Sequence, residues 1–102
     1  MNIYIWLDDE RPMPAPPFTY GIVIHARDYN SAVFFVDSDT YPSDKIYLDF
    51  DHDLGEGKSG YDVAKYIVEN NIQNVCYHVH SMNPVGRANI EQLLDHYGDE
   101  RF

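Results

Sequence analysis

Cysteine is nearly absent from this chain of 102 residues: Cys76 stands alone, so no disulfide can form within it. It lies in an apolar stretch and reads as a buried, unreactive core residue. Positive charge is scarce as well. Seven Lys and Arg face 17 Asp and Glu, a formal net charge of −10. Such a surface repels a nucleic-acid backbone at long range, which argues against non-specific nucleic-acid binding. It leaves room for a local site built from a few cations or from a metal. No run of roughly 18 apolar residues is present and no signal peptide is visible, so a soluble cytoplasmic protein without membrane contact is expected. Repeats and low-complexity tracts are missing too. PMPAPP (12–17) is the one biased stretch, a stiff surface loop after the first strand.

What is there suits one globular domain spanning 1–102. Apolar residues make up 44%, with nine Tyr, five Phe and one Trp. Four apolar runs read as strands: NIYIWL (2–7), GIVIH (21–25), KIYLDF (45–50) and NVCYHVH (74–80). Helical patterns lie between them. Asn30 can cap a helix running to Asp37, although Phe34–Val36 also suits a strand. At 60–70, Val63, Ala64, Ile67 and Val68 form one apolar stripe. Asn89, with Gln92 in the capping-box position, can open a last helix that buries Ile90, Leu93, Leu94 and Tyr97. Strands that read as continuous apolar runs favour a mostly parallel sheet covered by helices. The expected class is therefore α/β. In such sheets the site lies beyond the carboxyl ends of the strands.

Polar chemistry gathers at those ends. Asp8 and Asp9 follow the first strand, His25 and Arg27 end the second, and LDFDHDL (48–54) ends the third. Carboxylates from neighbouring strands repel one another when ionised, and a divalent cation removes that repulsion. Asp8, Asp9, Asp49 and Asp53 are thus candidate ligands for Mg²⁺ or Mn²⁺, with Asp49 the best placed and Asp51 an alternative to Asp53. The plain alternative is a set of solvated carboxylates that cap loops. Period-two alternation puts Asp49 and Asp51 on one face, with Phe50 and His52 on the other. Gly55 and Gly57 permit a tight turn after Asp53.

The fourth strand runs into HVHSMNPVGR (78–87). His78 and His80 share a face. Either can ligate a metal or move a proton near neutral pH, and either can simply be a hydrogen-bonded strand histidine. His80, beside Ser81, is the stronger functional candidate. Ser81 can bond an anion, but as a nucleophile it would need a positioned base. Asn83-Pro84 marks a turn, and Arg87 precedes the expected helix start, where a phosphate can be bound. Arg11 can reach the same site or neutralise Glu10. Lys58, Trp6, Tyr61 and Tyr66 have plain readings as surface or core residues.

At this point a resemblance becomes visible. WLDDERPMP (6–14), HARDY (25–29), LDFDHDLGEGKSGYDVAKYI (48–67) and HVHSMNPVGRANI (78–90) together resemble the cyclic-phosphate processing receiver domain, a divergent relative of response-regulator receivers. The resemblance implies a small receiver-like, flavodoxin-like three-layer fold. With only Gly98 to Phe102 after the last helix, the sheet is expected to stop at four strands. The resemblance also makes Asp8 and Asp9 the receiver's acidic pair. Asp49 takes the place of the phosphoacceptor, and Ser81 that of the hydroxyl residue after the fourth strand. The DHD triplet and HxHS are not ordinary receiver features. The family is associated with cyclic phosphates or cyclic nucleotides, in bacteria and their phages.

Three readings follow. The first is a metal-dependent phosphoesterase that hydrolyses a cyclic nucleotide or a cyclic-phosphate end. Asp49, Asp51 and His52 stand near the chemistry, His80 is the general acid or base, and Arg87 holds the phosphate with help from Ser81, Arg11, His78 and Asn83. The second is a module that binds or sequesters a cyclic nucleotide without cleaving it, in a bacterial cytoplasm or a phage-infected one. The third is a receiver-like phosphoacceptor or protein-interaction domain. A small fold with a shallow site also suggests a homodimer around the ligand.

Overall fold

Alternate residues of the strands divide the molecule into two halves with different jobs. The computed structural model describes residues 2–14, 21–37, 45–55 and 57–102. Its strands are β1 (Asn2–Leu7), β2 (Ile22–Ala26), β3 (Lys45–Phe50), β4 (Val75–Val79) and β5 (Glu100–Arg101). All pair in parallel, in the order β2-β1-β3-β4-β5. The helices are α1 (Tyr29–Val36), α2 (Gly60–Glu69) and α3 (Pro84–Tyr97). Among the described residues no helix is long and apolar enough to cross a membrane.

The order of strands places the helices. The steps β2 to β3, β3 to β4 and β4 to β5 all run the same way across the sheet. Right-handed crossovers therefore put α1, α2 and α3 on one face. Ile3, Ile5, Leu7, Ile46, Leu48, Phe50, Val75, Tyr77 and Val79 point to that face and form one core with Ala32, Val36, Val63, Ala64, Ile67, Ile90 and Leu94 of the helices. The step β1 to β2 runs the other way. Strand order thus reverses between β1 and β3, the point where ligands bind in open α/β sheets.

Three expectations need correction. The sheet is not truncated after the fourth strand, because β5 pairs with β4 through Cys76–Glu100 and Tyr77–Arg101. β5 has only two residues, both polar, and side chains hold it in place. Arg101 Nη2 lies 2.5 Å from Asp95 Oδ2, and its Nε donates to the Tyr77 hydroxyl at 3.0 Å. That hydroxyl in turn donates to Asp95. Burial, and then the Asp95 carboxylate, push the Tyr77 phenol up to about 12. Secondly, the described helices form one layer, not the two of a three-layer fold. The other face carries the Phe102 ring, set edge-on to Tyr4 at 6.3 Å and to Tyr47 at 5.4 Å. Thirdly, the helix starts differ. Asp28, not Asn30, caps α1 by accepting from the Ser31 N–H at 2.8 Å. Asn83, not Asn89, caps α3 by accepting from the Gly86 N–H at 2.9 Å, with Pro84 in the first helical position. The second half of the PMPAPP loop lies outside the described residues.

Two glycines let the helices close on the sheet's carboxyl edge. A Cβ on Gly60 would stand 2.1 Å from the Asp51 carbonyl oxygen, and one on Gly86 2.3 Å from Cγ of His52. Only glycine fits such approaches.

Candidate metal centre

Three adjacent strands end in the residues that matter. β1 runs into Asp8, β3 into Asp51 and β4 into His80. The ladder carries on past the regular strands: the Asp51 N–H donates to the Leu7 carbonyl at 2.7 Å, and the His80 N–H to the Phe50 carbonyl at 2.8 Å. This rigid backbone places one ligand atom each from Asp8, Asp51 and His80 within 4.8 Å of one another. Asp8 is fully buried and Asp51 nearly so. Two carboxylates and an imidazole at that spacing can hold a divalent cation, and burial sets Asp8 and Asp51 apart from solvated loop caps.

Asp8 is the most firmly held. Its Oδ1 accepts from the N–H groups of Glu10 and Arg11 at 2.9 and 2.8 Å. The His25 ring meets its carbonyl oxygen at 2.9 Å. Burial pushes the Asp8 carboxyl up, but those two N–H groups and His80 outweigh burial and leave it below the usual carboxylate range.

His80 is held on both sides. Nε2 lies 3.0 Å from Asp8 Oδ2, and Nδ1 lies 2.7 Å from Asp49 Oδ1. Trp6 stacks on the imidazole, with ring centroids 3.8 Å apart and planes 4° from parallel. The indole is fixed in turn, since its Nε1 donates to the Arg11 carbonyl at 3.2 Å. Asp49 is engaged at both oxygens, because Oδ2 accepts from the Tyr4 hydroxyl at 2.8 Å. Asp49 thus stands behind His80 and outside the Asp8–Asp51–His80 group.

Beside the cluster lies a hollow of about 290 Å³ lined by Asp9, Glu10, Arg11, Asp51, Asp53, Gly55 and Met82. Arg11 is its cation: Nη1 donates to the His80 carbonyl at 3.2 Å and stands 3.8 Å from Asp8 Oδ2. A larger hollow of about 510 Å³ opens at the opposite end of the sheet, beside Lys45, Asn74 and Asp99. Size alone would favour it, but Asp51, one of the three residues able to hold a cation, lines the smaller one.

The remaining candidates are engaged in other contacts. His52 turns to the helix side and bonds Asp53 Oδ1 through Nδ1 at 3.0 Å. Asp53 is exposed, and the His52 ring and then the Asn83 amide hold its carboxyl below the usual range. Ser81 is buried and accepts from the Asn83 N–H at 3.1 Å, a turn contact. His78 is exposed, with its ring 6.0 Å from that of Phe102. Arg87 pairs with Glu91 on its own helix at 3.4 Å and does not line the hollow. Arg101, whose partners are Asp95, Glu91 and Tyr77, belongs to the β5 anchor. Lys58 lies 4.3 Å over the Tyr29 ring, a surface contact. Tyr4 and Trp6 escaped the sequence reading because aromatics in an apolar strand look like core. Their signal was the alternation Tyr4, Trp6, Asp8, which puts both on the functional face.

No curated protein and no solved structure matches the chain. The family model of the cyclic-phosphate processing receiver domain matches residues 3–96. That span takes in the acidic pair after β1, the DHD stretch after β3 and the HxHS stretch of β4, so the chain belongs to the cyclic-phosphate processing receiver domain family.

Proposed function

We propose that this protein is a metal-dependent phosphoesterase acting on a cyclic phosphate or cyclic nucleotide. The observation that carries the proposal is the convergence of Asp8, Asp51 and His80 at the switch point of the sheet, next to a hollow that holds Arg11. A mixed oxygen and nitrogen donor set suits Mn²⁺ better than Mg²⁺, which prefers oxygen alone. Bound there, a divalent cation supplies positive charge to a phosphoryl oxygen and makes water acidic. Arg11 takes the phosphate role that the sequence suggested for Arg87, since its guanidinium lines the hollow. Asp9 and Asp53, which also line it, are placed to accept the proton of an attacking water. Ring opening then forms one P–O bond to that water and breaks one P–O ester bond, and the leaving oxygen takes up a proton.

A second reading, binding without cleavage, is favoured by one observation. His80 Nδ1 is held by Asp49, and Nε2 faces Asp8 within the ligand group, so the residue expected from sequence to move protons is taken up as a ligand. The phosphoacceptor reading loses support, because Asp49 is buried and both of its oxygens are engaged.

Phosphorus NMR separates the readings. The protein is incubated with Mn²⁺ or Mg²⁺ and a panel of 2′,3′- and 3′,5′-cyclic nucleotides. The expected result is a phosphomonoester product that is absent with chelator and with Asp51→Asn. Cyclic resonances that shift or broaden without product would establish the binding module. Resonances left untouched across the panel would reject both for these ligands.

A further inference from the structure

The metal centre has a back wall that neither the family match nor the ligand cluster assigns a task. The Tyr4 side chain is 1% exposed and spends its hydroxyl on a carboxylate of the neighbouring strand, Asp49. Asp49 spends its other oxygen on His80 Nδ1. A tyrosine kept for packing alone has no need of a buried partner charge. A carboxylate placed to react or to bind metal would keep an oxygen free.

We propose that Tyr4 is a positioning residue, which acts through Asp49 to fix the His80 ring with Nδ1 held and Nε2 turned to the Asp8 side of the site. The chain of contacts is short and buried: phenol to carboxylate at 2.8 Å, then carboxylate to imidazole at 2.7 Å. A hydrogen bond to a charged acceptor away from water is strong and directional. Both Asp49 oxygens are pinned, so the carboxylate cannot rotate, and the ring it holds cannot flip without breaking both nitrogen contacts. Trp6 covers the imidazole face and blocks tilt. Phe102, edge-on to the Tyr4 ring, closes the far side. A histidine that ligates metal is commonly oriented in this way by a carboxylate on its other nitrogen. In this chain the strand-three aspartate, the phosphoacceptor position of receivers, serves as that carboxylate. The consequence for metal affinity rests on the reading proposed above; the orientation of the ring does not.

Tyr4→Phe tests this, because it keeps the ring and its contact with Phe102 and removes one hydroxyl. Two readouts are taken. Long-range ¹H–¹⁵N NMR of the metal-free protein reports the His80 ring. Calorimetric titration with Mn²⁺ reports affinity. The His80 ring signals are expected to shift and broaden in Tyr4→Phe, and Mn²⁺ affinity to fall about tenfold with the fold intact. Asp49→Asn should change the same signals further and lose more affinity. A wild-type His80 spectrum in Tyr4→Phe would overturn the proposal and leave Tyr4 as a packing residue. If the unaltered protein takes up no Mn²⁺, the metal reading falls, and the His80 spectra still decide the positioning role.

Discussion

The two faces of the one sheet are built from alternate residues of the same strands, yet they differ in kind. The helix-covered face of β1 is Ile3, Ile5 and Leu7, and that of β3 is Ile46, Leu48 and Phe50. The opposite face of the same strands is Tyr4 and Trp6, then Tyr47 and Asp49, leading to Asp8 and Asp51. Register joins the second set, since Trp6 pairs with Asp49, and Asp49 with His78. Burial is nearly complete on both faces close to the site, so burial does not distinguish them. The difference lies in what the buried groups offer. One face offers hydrocarbon area, which stabilises the fold. The other offers hydrogen-bonded polar groups, which fix geometry and add little net stability. A chain this small separates stability from function by side-chain parity.

That separation can be broken on purpose. Leu48→Ala removes a fully buried side chain from the helix face and should cost about 2–5 kcal/mol in denaturant unfolding. Calorimetric Mn²⁺ affinity, measured where the variant is still folded, should stay within about twofold of the parent if the faces are separable. A parallel loss of affinity would show that they are not.

At the other end of the sheet one buried polar atom is left unpaired. Asp99 Oδ2 is buried without a hydrogen-bond partner, and burial raises the carboxyl to about 6. The folded state therefore binds the proton more tightly than the unfolded chain does. Below the ordinary carboxyl value both states are protonated and nothing is lost. As pH rises through the folded value, the buried charge destabilises the fold in full. Asp99→Asn should thus raise stability at neutral pH by up to about 3 kcal/mol, and the gain should vanish below about pH 4. Thermal unfolding across pH checks both ends.

Gly60→Ala probes the seam between helix layer and site. Its Cβ meets the Asp51 carbonyl, a backbone atom that cannot swing away. The expected cost is about 1–3 kcal/mol, with weaker Mn²⁺ binding as Asp51 is pushed. Smallest is Asp28→Ala, which removes the α1 cap on the helix layer and should cost about 1 kcal/mol. The Ser31 backbone N–H holds the Asp28 carboxyl below its usual range. Its contribution is therefore complete above the ordinary carboxyl value and is lost as pH falls through the lower folded one. Unfolding curves of the variant and parent should converge at acid pH.

Much of this was legible in the chain. Four strands and three helices announce themselves by apolar runs and the stripe of α2, and the carboxyl-edge rule brings the aspartates after β1 and β3 and His80 to one edge, without showing which three converge. β5 was invisible because Glu100 and Arg101 carry no apolar signal; a side-chain clamp to Asp95 and Tyr77 holds them. The start of α3 was misplaced because two asparagines compete. Pro84 after Asn83 decides it, since proline suits the first helical turn. Arg87 was expected at the ligand; the structure shows it paired with Glu91 four residues on, the spacing of a helical ion pair. Asp49 was expected as a ligand; that Tyr4 and His80 meet its two oxygens is not visible in the sequence.

The most direct measurement is a calorimetric titration of Mn²⁺ into the unaltered protein and into Asp51→Asn. The account predicts saturable binding to the first. The second should be a folded variant whose affinity falls by more than the roughly 10- to 100-fold expected for an outer partner. No heat of binding in the unaltered protein, or equal binding in both, would contradict it.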